Sequence, residues 1–85
     1  MKVKLIIYSK LKEYVKGYDD NEGIIKEVPH PKSIRFFLKE TINHPQAMDA
    51  ISMVIVNDKV VPFDQLDRDI KDNDIIKIYP PMGGG

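Results

Sequence analysis

The sequence closes on Gly83-Gly84-Gly85, and Pro80-Pro81-Met82 runs into it. Three successive glycines weaken any packed element through backbone entropy, so they read as a bare tail. The two prolines fix φ and favour extended geometry, which launches that tail in a defined direction. At full extension Met82 to Gly85 reaches about 13–14 Å. A chain end without Cβ atoms can enter a narrow channel and present its α-carboxylate to a reagent there. The glycines alone would also suit a linker remnant or a fraying terminus. The Pro-Pro lead-in, at the end of a well-patterned strand, favours a built tail.

Nothing else in the chain offers comparable chemistry. His30 lies between two prolines and His44 precedes Pro45, and neither has a carboxylate or nucleophile partner at motif spacing. Solvent-facing loop histidines account for both. Asp64, Asp67, Asp69, Asp72 and Asp74 make an acidic cluster, but Lys71 and Asp72 break the ligand order of a calcium loop. Turn chemistry explains these aspartates better. There is no cysteine, hence no thiolate nucleophile, thiolate metal site or disulfide, which fits a reducing cytoplasm. Two histidines without cysteine make no zinc set. No glycine-rich phosphate loop follows a strand. Thirteen basic residues balance thirteen acidic ones, so the basic excess of a nucleic-acid binder is missing. No apolar run is long enough for a signal peptide core or a membrane span.

The elements that must carry the tail are legible from periodicity. At 85 residues there is room for one core, with net stability of about 4–13 kcal/mol by per-residue scaling. Val3, Leu5 and Ile7 alternate with Lys2, Lys4, Ile6 and Tyr8, predicting a half-buried strand. Residues 9–16 carry Leu11, Tyr14 and Val15 at helical spacing, with Gly17 as the closing residue. Residues 18–23 read as a turn, and 24–28 as a second strand closed by Pro29 and Pro31. Ile34, Phe37, Leu38, Thr41 and Ile42 form one helical face, Ser33 is the expected N-cap, and Asn43-His44-Pro45 ends the helix. Residues 46–52 read as a short helical turn. Residues 53–56 and 59–62 form a hairpin across Asn57-Asp58. Residues 63–74 read as loop with one turn around Leu66 and another at Asp72-Asn73-Asp74. Residues 75–79 form the last strand, with Ile76 and Ile78 on one face.

This order predicts an α+β domain: a mixed sheet of four to five strands with one main helix on one face. The β-grasp arrangement fits, with the first and last strands parallel neighbours at the centre. The domain spans 1–81, and 82–85 form a flexible tail. Parity then has a consequence. If Leu5 and Ile7 face the helix, Ile6 and Tyr8 face away, and Tyr79 lies opposite Ile76 and Ile78. Tyr8 and Tyr79 are expected together on the helix-free face. Nothing in a two-layer domain covers that face, so it suggests a partner surface, although tyrosines also suit half-exposed strands.

Two blocks carry a resemblance. Residues 3–14, VKLIIYSKLKEY, resemble the opening strand and short helix of the ubiquitin-like sulfur carriers. Residues 56–60, and 72–85 with their Pro-Pro-x-x-Gly-Gly pattern, resemble that family's hairpin, last strand and end. Within it the chain looks most like the small subunit of molybdopterin synthases. Met82 and Gly83 replace the family's usual Val and Ala or Thr, Asp58 stands where glycine is common, and residues 17–32 match poorly. The resemblance implies that Gly85 carries the reactive carboxylate and that Gly84 lets it fit. An ATP-dependent adenylyltransferase of the ubiquitin-activating type would form a glycyl adenylate, and a sulfurtransferase would convert it to a thiocarboxylate. The large catalytic subunit would receive the tail and transfer sulfur to a pterin precursor of the molybdenum cofactor. The chain itself would bind no cofactor and supply no acid or base. The family's partner-docking positions correspond to Tyr8, Val60 and Tyr79. Carriers for thiazole and thiamine synthesis, transfer-RNA thiolation or a tungsten cofactor are alternatives, as is a ubiquitin-like interaction module with an inert tail.

Overall fold

Alternation in the strands builds a five-stranded sheet in the computed structural model, which describes residues 1–81. The strands are β1 (Lys2–Ile7), β2 (Ile24–Glu27), β3 (Met53–Val56), β4 (Lys59–Val61) and β5 (Ile75–Tyr79). Their order across the sheet is β2-β1-β5-β3-β4. β1 and β5 are parallel, with Leu5 opposite Ile76 and Ile7 opposite Ile78. The other three pairings are antiparallel. This is the expected β-grasp architecture, with first and last strands adjacent at the centre. The expectations for Met82, Gly83, Gly84 and Gly85 concern residues outside the described ones.

One helix, α1 (Ile34–Thr41), packs on one face. Ser33 caps it, its Oγ accepting from the Phe36 amide at 3.0 Å, a contact that stabilises by about 1 kcal/mol. Two further first-turn amides donate to a loop: Ile34 to the Arg68 carbonyl at 3.0 Å and Arg35 to the Leu66 carbonyl at 2.9 Å. The helix N-terminus thus leaves few donors for water to satisfy. Ile34, Phe37, Leu38 and Ile42 are buried, as their spacing requires, and Thr41 is half-buried. They meet Val3, Leu5, Ile7, Val54, Val56, Ile76 and Ile78 from the sheet. Burying each large apolar side chain stabilises by about 1.5–3 kcal/mol before chain entropy is counted.

The segment 63–74, expected as loop, is held as firmly as an element. A 3-10 turn, Phe63–Gln65, precedes Leu66, which is fully buried together with Ile70. The Ile70 amide donates to the Lys32 carbonyl at 3.0 Å. The first helical segment is a 3-10 turn, Lys10–Tyr14, and Gly17 does not close it. Its cap is Val15, and Gly17 uses φ +83° in the turn that follows. Residues 46–52 contain the expected short turn at Ala47–Ala50, also 3-10.

Two turns are made by residues other than glycine at positive φ, one at Asn57-Asp58 and one at Asn73, whose φ is 68°. Asn57 and Asp58 both have positive φ, 51° and 68°, which is the geometry a two-residue hairpin favours. Aspartate and asparagine tolerate it because their short side chains bond locally. Asn57 is held by tertiary contacts here: its Nδ2 donates to Asp74 at 2.7 Å and its Oδ1 accepts from the Ile75 amide at 2.9 Å. Gly23 is required by space. Its φ is +76°, and a Cβ there would lie 2.5 Å from the Leu5 carbonyl oxygen.

Candidate functional site

The two faces of the sheet divide as alternation demands. On the helix-free face Tyr8 is 48% exposed, and the end of β5 brings Tyr79 beside it. Their rings stack with centroids 4.7 Å apart and planes 12° from parallel. The Tyr8 amide donates to the Ile78 carbonyl at 3.0 Å, which extends the parallel pairing and aligns the two rings. Met53 lies opposite Tyr79 in the register, so the row continues onto β3. The next row along the strands runs Ile6, Lys77, Ile55, Val60. Val60 is 62% exposed and lies two strands from β5. A third row places Ile25, Lys4 and Ile75 side by side. The face is therefore largely apolar, with lysines set into it, and no helix among the described residues covers it.

Pro80 and Pro81 follow β5 at the same end of the sheet as the tyrosine pair. Ser52 holds the exit: its amide donates to the Tyr79 carbonyl at 2.9 Å and its Oγ to the Pro80 carbonyl at 2.8 Å. Pro80 is half-buried and Pro81 exposed. The prolines thus begin from a fixed point, which is what launching a tail in a defined direction requires. Beside them opens a groove of about 790 Å³, lined by Tyr8, Leu11, Lys12, Tyr14 and Ala50 as well as the two prolines. Lys12 is paired with Asp20 at 2.9 Å. The hydrogen bond to Asp20, and then that carboxylate's charge, raise the Lys12 ammonium above its ordinary pKa.

The remaining polar candidates have structural work. The Asp74 carboxylate is buried and accepts from Asn57 and from the Lys71 amide at 2.8 Å. Asp72 accepts from the Lys2 amide at 2.8 Å, and Asp67 pairs with Arg35 at 3.0 Å. These aspartates close turns and pin the loop to the sheet and helix. His30 is exposed, as expected. His44 is not a free loop side chain. It is half-buried, its ring meets the edge of Tyr14 with centroids 4.5 Å apart, and its Nδ1 accepts from the Gln46 amide at 3.1 Å. The cause is tertiary: the Asn43 amide donates to the Tyr14 carbonyl, drawing two distant turns together.

Strand parity placed Tyr8 and Tyr79 on one face, the family resemblance added Val60, and Ser52, Met53 and Ile55 were missed. The signal for Met53 was parity against Tyr79. Ser52 follows once β3 and β5 are known to be antiparallel, since it then falls opposite Pro80.

The ThiS family model matches residues 7–85. The chain belongs to the ThiS family. A relative, the molybdopterin synthase sulfur carrier subunit of Dictyostelium discoideum, is 31% identical over 86 residues, covering 96% of this chain and 94% of that protein. Two solved structures share the fold. The crystal structure of SAMP1 from Haloferax volcanii has a TM-score of 0.66 at 14% identity and covers 100% of both chains. The complex of subunits 1 and 2 of molybdopterin-converting factor from Helicobacter pylori 26695 contains a chain with a TM-score of 0.61 at 22% identity, again covering 100% of both. The ThiS-family match includes Tyr8, Tyr79 and the glycine end, and begins at Ile7, the last residue of β1.

Proposed function

We propose that this chain is a sulfur carrier, and specifically the small, sulfur-donating subunit of a molybdopterin synthase. The observation that carries the reading is identity to a molybdopterin synthase sulfur carrier subunit along nearly the whole of both chains. The geometry supports it: an uncovered aromatic face and an anchored tail exit lie at one end of the sheet.

The reactive group would be the Gly85 α-carboxylate. An ATP-dependent partner would attach AMP to it and release pyrophosphate. The persulfide of a sulfurtransferase would displace AMP to give an acyl disulfide. A second thiol would cleave that disulfide reductively, forming a disulfide with the sulfurtransferase and leaving a thiocarboxylate. The large subunit would bind Tyr8, Val60 and Tyr79 and draw in the tail. Attack on the pterin precursor would move the sulfur, and water would restore the carboxylate. Gly84 and Gly83 would fit the channel, with Met82, Pro81 and Pro80 setting its approach. In this scheme the chain's own contribution is presentation, and the partners supply acid, base and nucleotide chemistry. The setting would be the cytoplasm; no helix among the described residues is long and apolar enough to cross a membrane.

The test is intact mass after incubation of the native-ended protein with ATP, a sulfide source and the activating partner. Replacing one carboxylate oxygen by sulfur adds about 16 Da, which oxidation of a methionine mimics. With four methionines in the chain, the gain must therefore be localised to the C-terminal peptide. It must also vanish when Gly85 is deleted. No localised gain with a competent activating partner would replace the carrier by a binding module with an inert tail.

A further inference from the structure

Lys77 is the charged residue nearest the tyrosine pair on the helix-free face. It lies on the central strand β5, opposite Ile6 on one side and Ile55 on the other, with Ile75 and Tyr79 two positions away on the same face. It is half-buried by these neighbours, and it joins no ion pair among the described residues. We infer that the protein docking on this face sets a carboxylate against the Lys77 ammonium, inside an otherwise apolar contact.

The inference rests on the docking reading proposed above and adds the partner's chemistry. Val60 and Lys77 share one cross-strand row, and the Tyr8–Tyr79 pair forms the next. Neighbouring strands lie about 4.8 Å apart, so Val60 stands about 10 Å from Lys77. A surface that touches Val60 on β4 and Tyr8 on β1 crosses β5 between Lys77 and Tyr79, within reach of the Lys77 side chain. Water is then displaced from the ammonium, and a desolvated cation without a partner is strongly unfavourable. The four-carbon stem can pack on Ile6 and Ile55, but its head has no short path to the rim. The surrounding charge points the same way. Lys2 and Lys4 share the face with Lys77, and Glu27 stands at its edge. The chain is formally neutral, yet three lysines and one glutamate stand on this face, of which Lys4 pairs with Glu22 at 4.0 Å. Charge of this kind selects a partner surface of opposite sign.

The experiment is calorimetric titration with the molybdopterin synthase large subunit from the same organism, at low and high salt. Lys77→Met keeps the length and apolar stem and removes the charge. A partner carboxylate left unpaired should weaken assembly at least about tenfold, and Lys77→Glu should weaken it further. The salt dependence seen with the wild type should flatten in Lys77→Met. Equal or tighter binding by Lys77→Met, with unchanged salt dependence, would overturn the inference. Tyr79→Asp separates the two ideas. If it abolishes assembly while Lys77→Met does not weaken it, the face docks and only the carboxylate is wrong. If Tyr79→Asp binds like the wild type, or the wild type does not bind, the docking reading and this inference both fall. Circular dichroism of each variant shows that the fold is intact, and Lys77→Arg, which retains the charge, should hold most of the affinity.

Discussion

The inner and outer faces of this sheet come from alternate residues of the same strands, and they answer to different demands. Leu5, Ile7, Ile76 and Ile78 are buried against α1 and fill the core. One position along, Ile6, Tyr8, Lys77 and Tyr79 are half-buried or exposed, and no helix among the described residues packs over them. The outer face is nearly as rich in apolar side chains as the inner one, and its lysines keep it wettable. A domain that needed only stability would set polar residues there. Retaining two stacked tyrosines beside the tail exit argues that the outer face is kept for contact with another molecule.

Substitutions on the two sides should therefore separate stability from assembly. The largest effect is expected inside. Phe37→Ala should cost about 3–5 kcal/mol and lower the Tm by about 12 °C or more, as read in a thermal melt. That is a large share of the whole stability of a chain this size. Outside, Tyr79→Asp should weaken assembly with the large subunit at least about thirtyfold, about 2 kcal/mol, while leaving the melt nearly unchanged. A melt that collapses with it would mean that the tyrosine pair is structural, and the contrast between faces would be lost. Gly23→Ala sharpens the comparison at the one point where the sheet backbone is crowded. Its positive φ and the 2.5 Å approach to the Leu5 carbonyl should cost more than about 1 kcal/mol in chemical denaturation. Ser33→Ala, which removes the helix cap but touches neither face, should cost about 1 kcal/mol and leave assembly untouched.

Where a feature depends on neighbours in sequence, the sequence announced it. β3 and β5 begin and end at the expected residues, and the hydrophobic period of α1 named its buried side. The tyrosine pair needed one step more, combining strand parity with the adjacency of β1 and β5. Features built from distant segments were hidden. Nothing near His44 announces Tyr14, and nothing near Leu66 and Ile70 shows that a polar, aspartate-rich segment supplies two core residues. Gly17 misled because a left-handed glycine suits a helix end and an ordinary turn equally well, and a 3-10 turn stopped short of it. Ser52 was invisible until a strand pairing placed it opposite Pro80.

The parallel pairing of β1 with β5 also bears on when this protein becomes competent. The Lys2 amide and the Asp72 carboxylate that close the pair are 70 residues apart in sequence. So long a loop closes slowly compared with local turns, because its entropy must be lost before contacts repay it. Until β5 docks, Tyr8 has no Tyr79 beside it and the sheet lacks its middle strand. A nascent chain still short of residue 75 can form the helix and the hairpin, yet it displays no docking face at all. The same strand that completes the fold leads directly to Pro80 and Pro81, so the tyrosine pair and the anchored exit beside it come into being in one step.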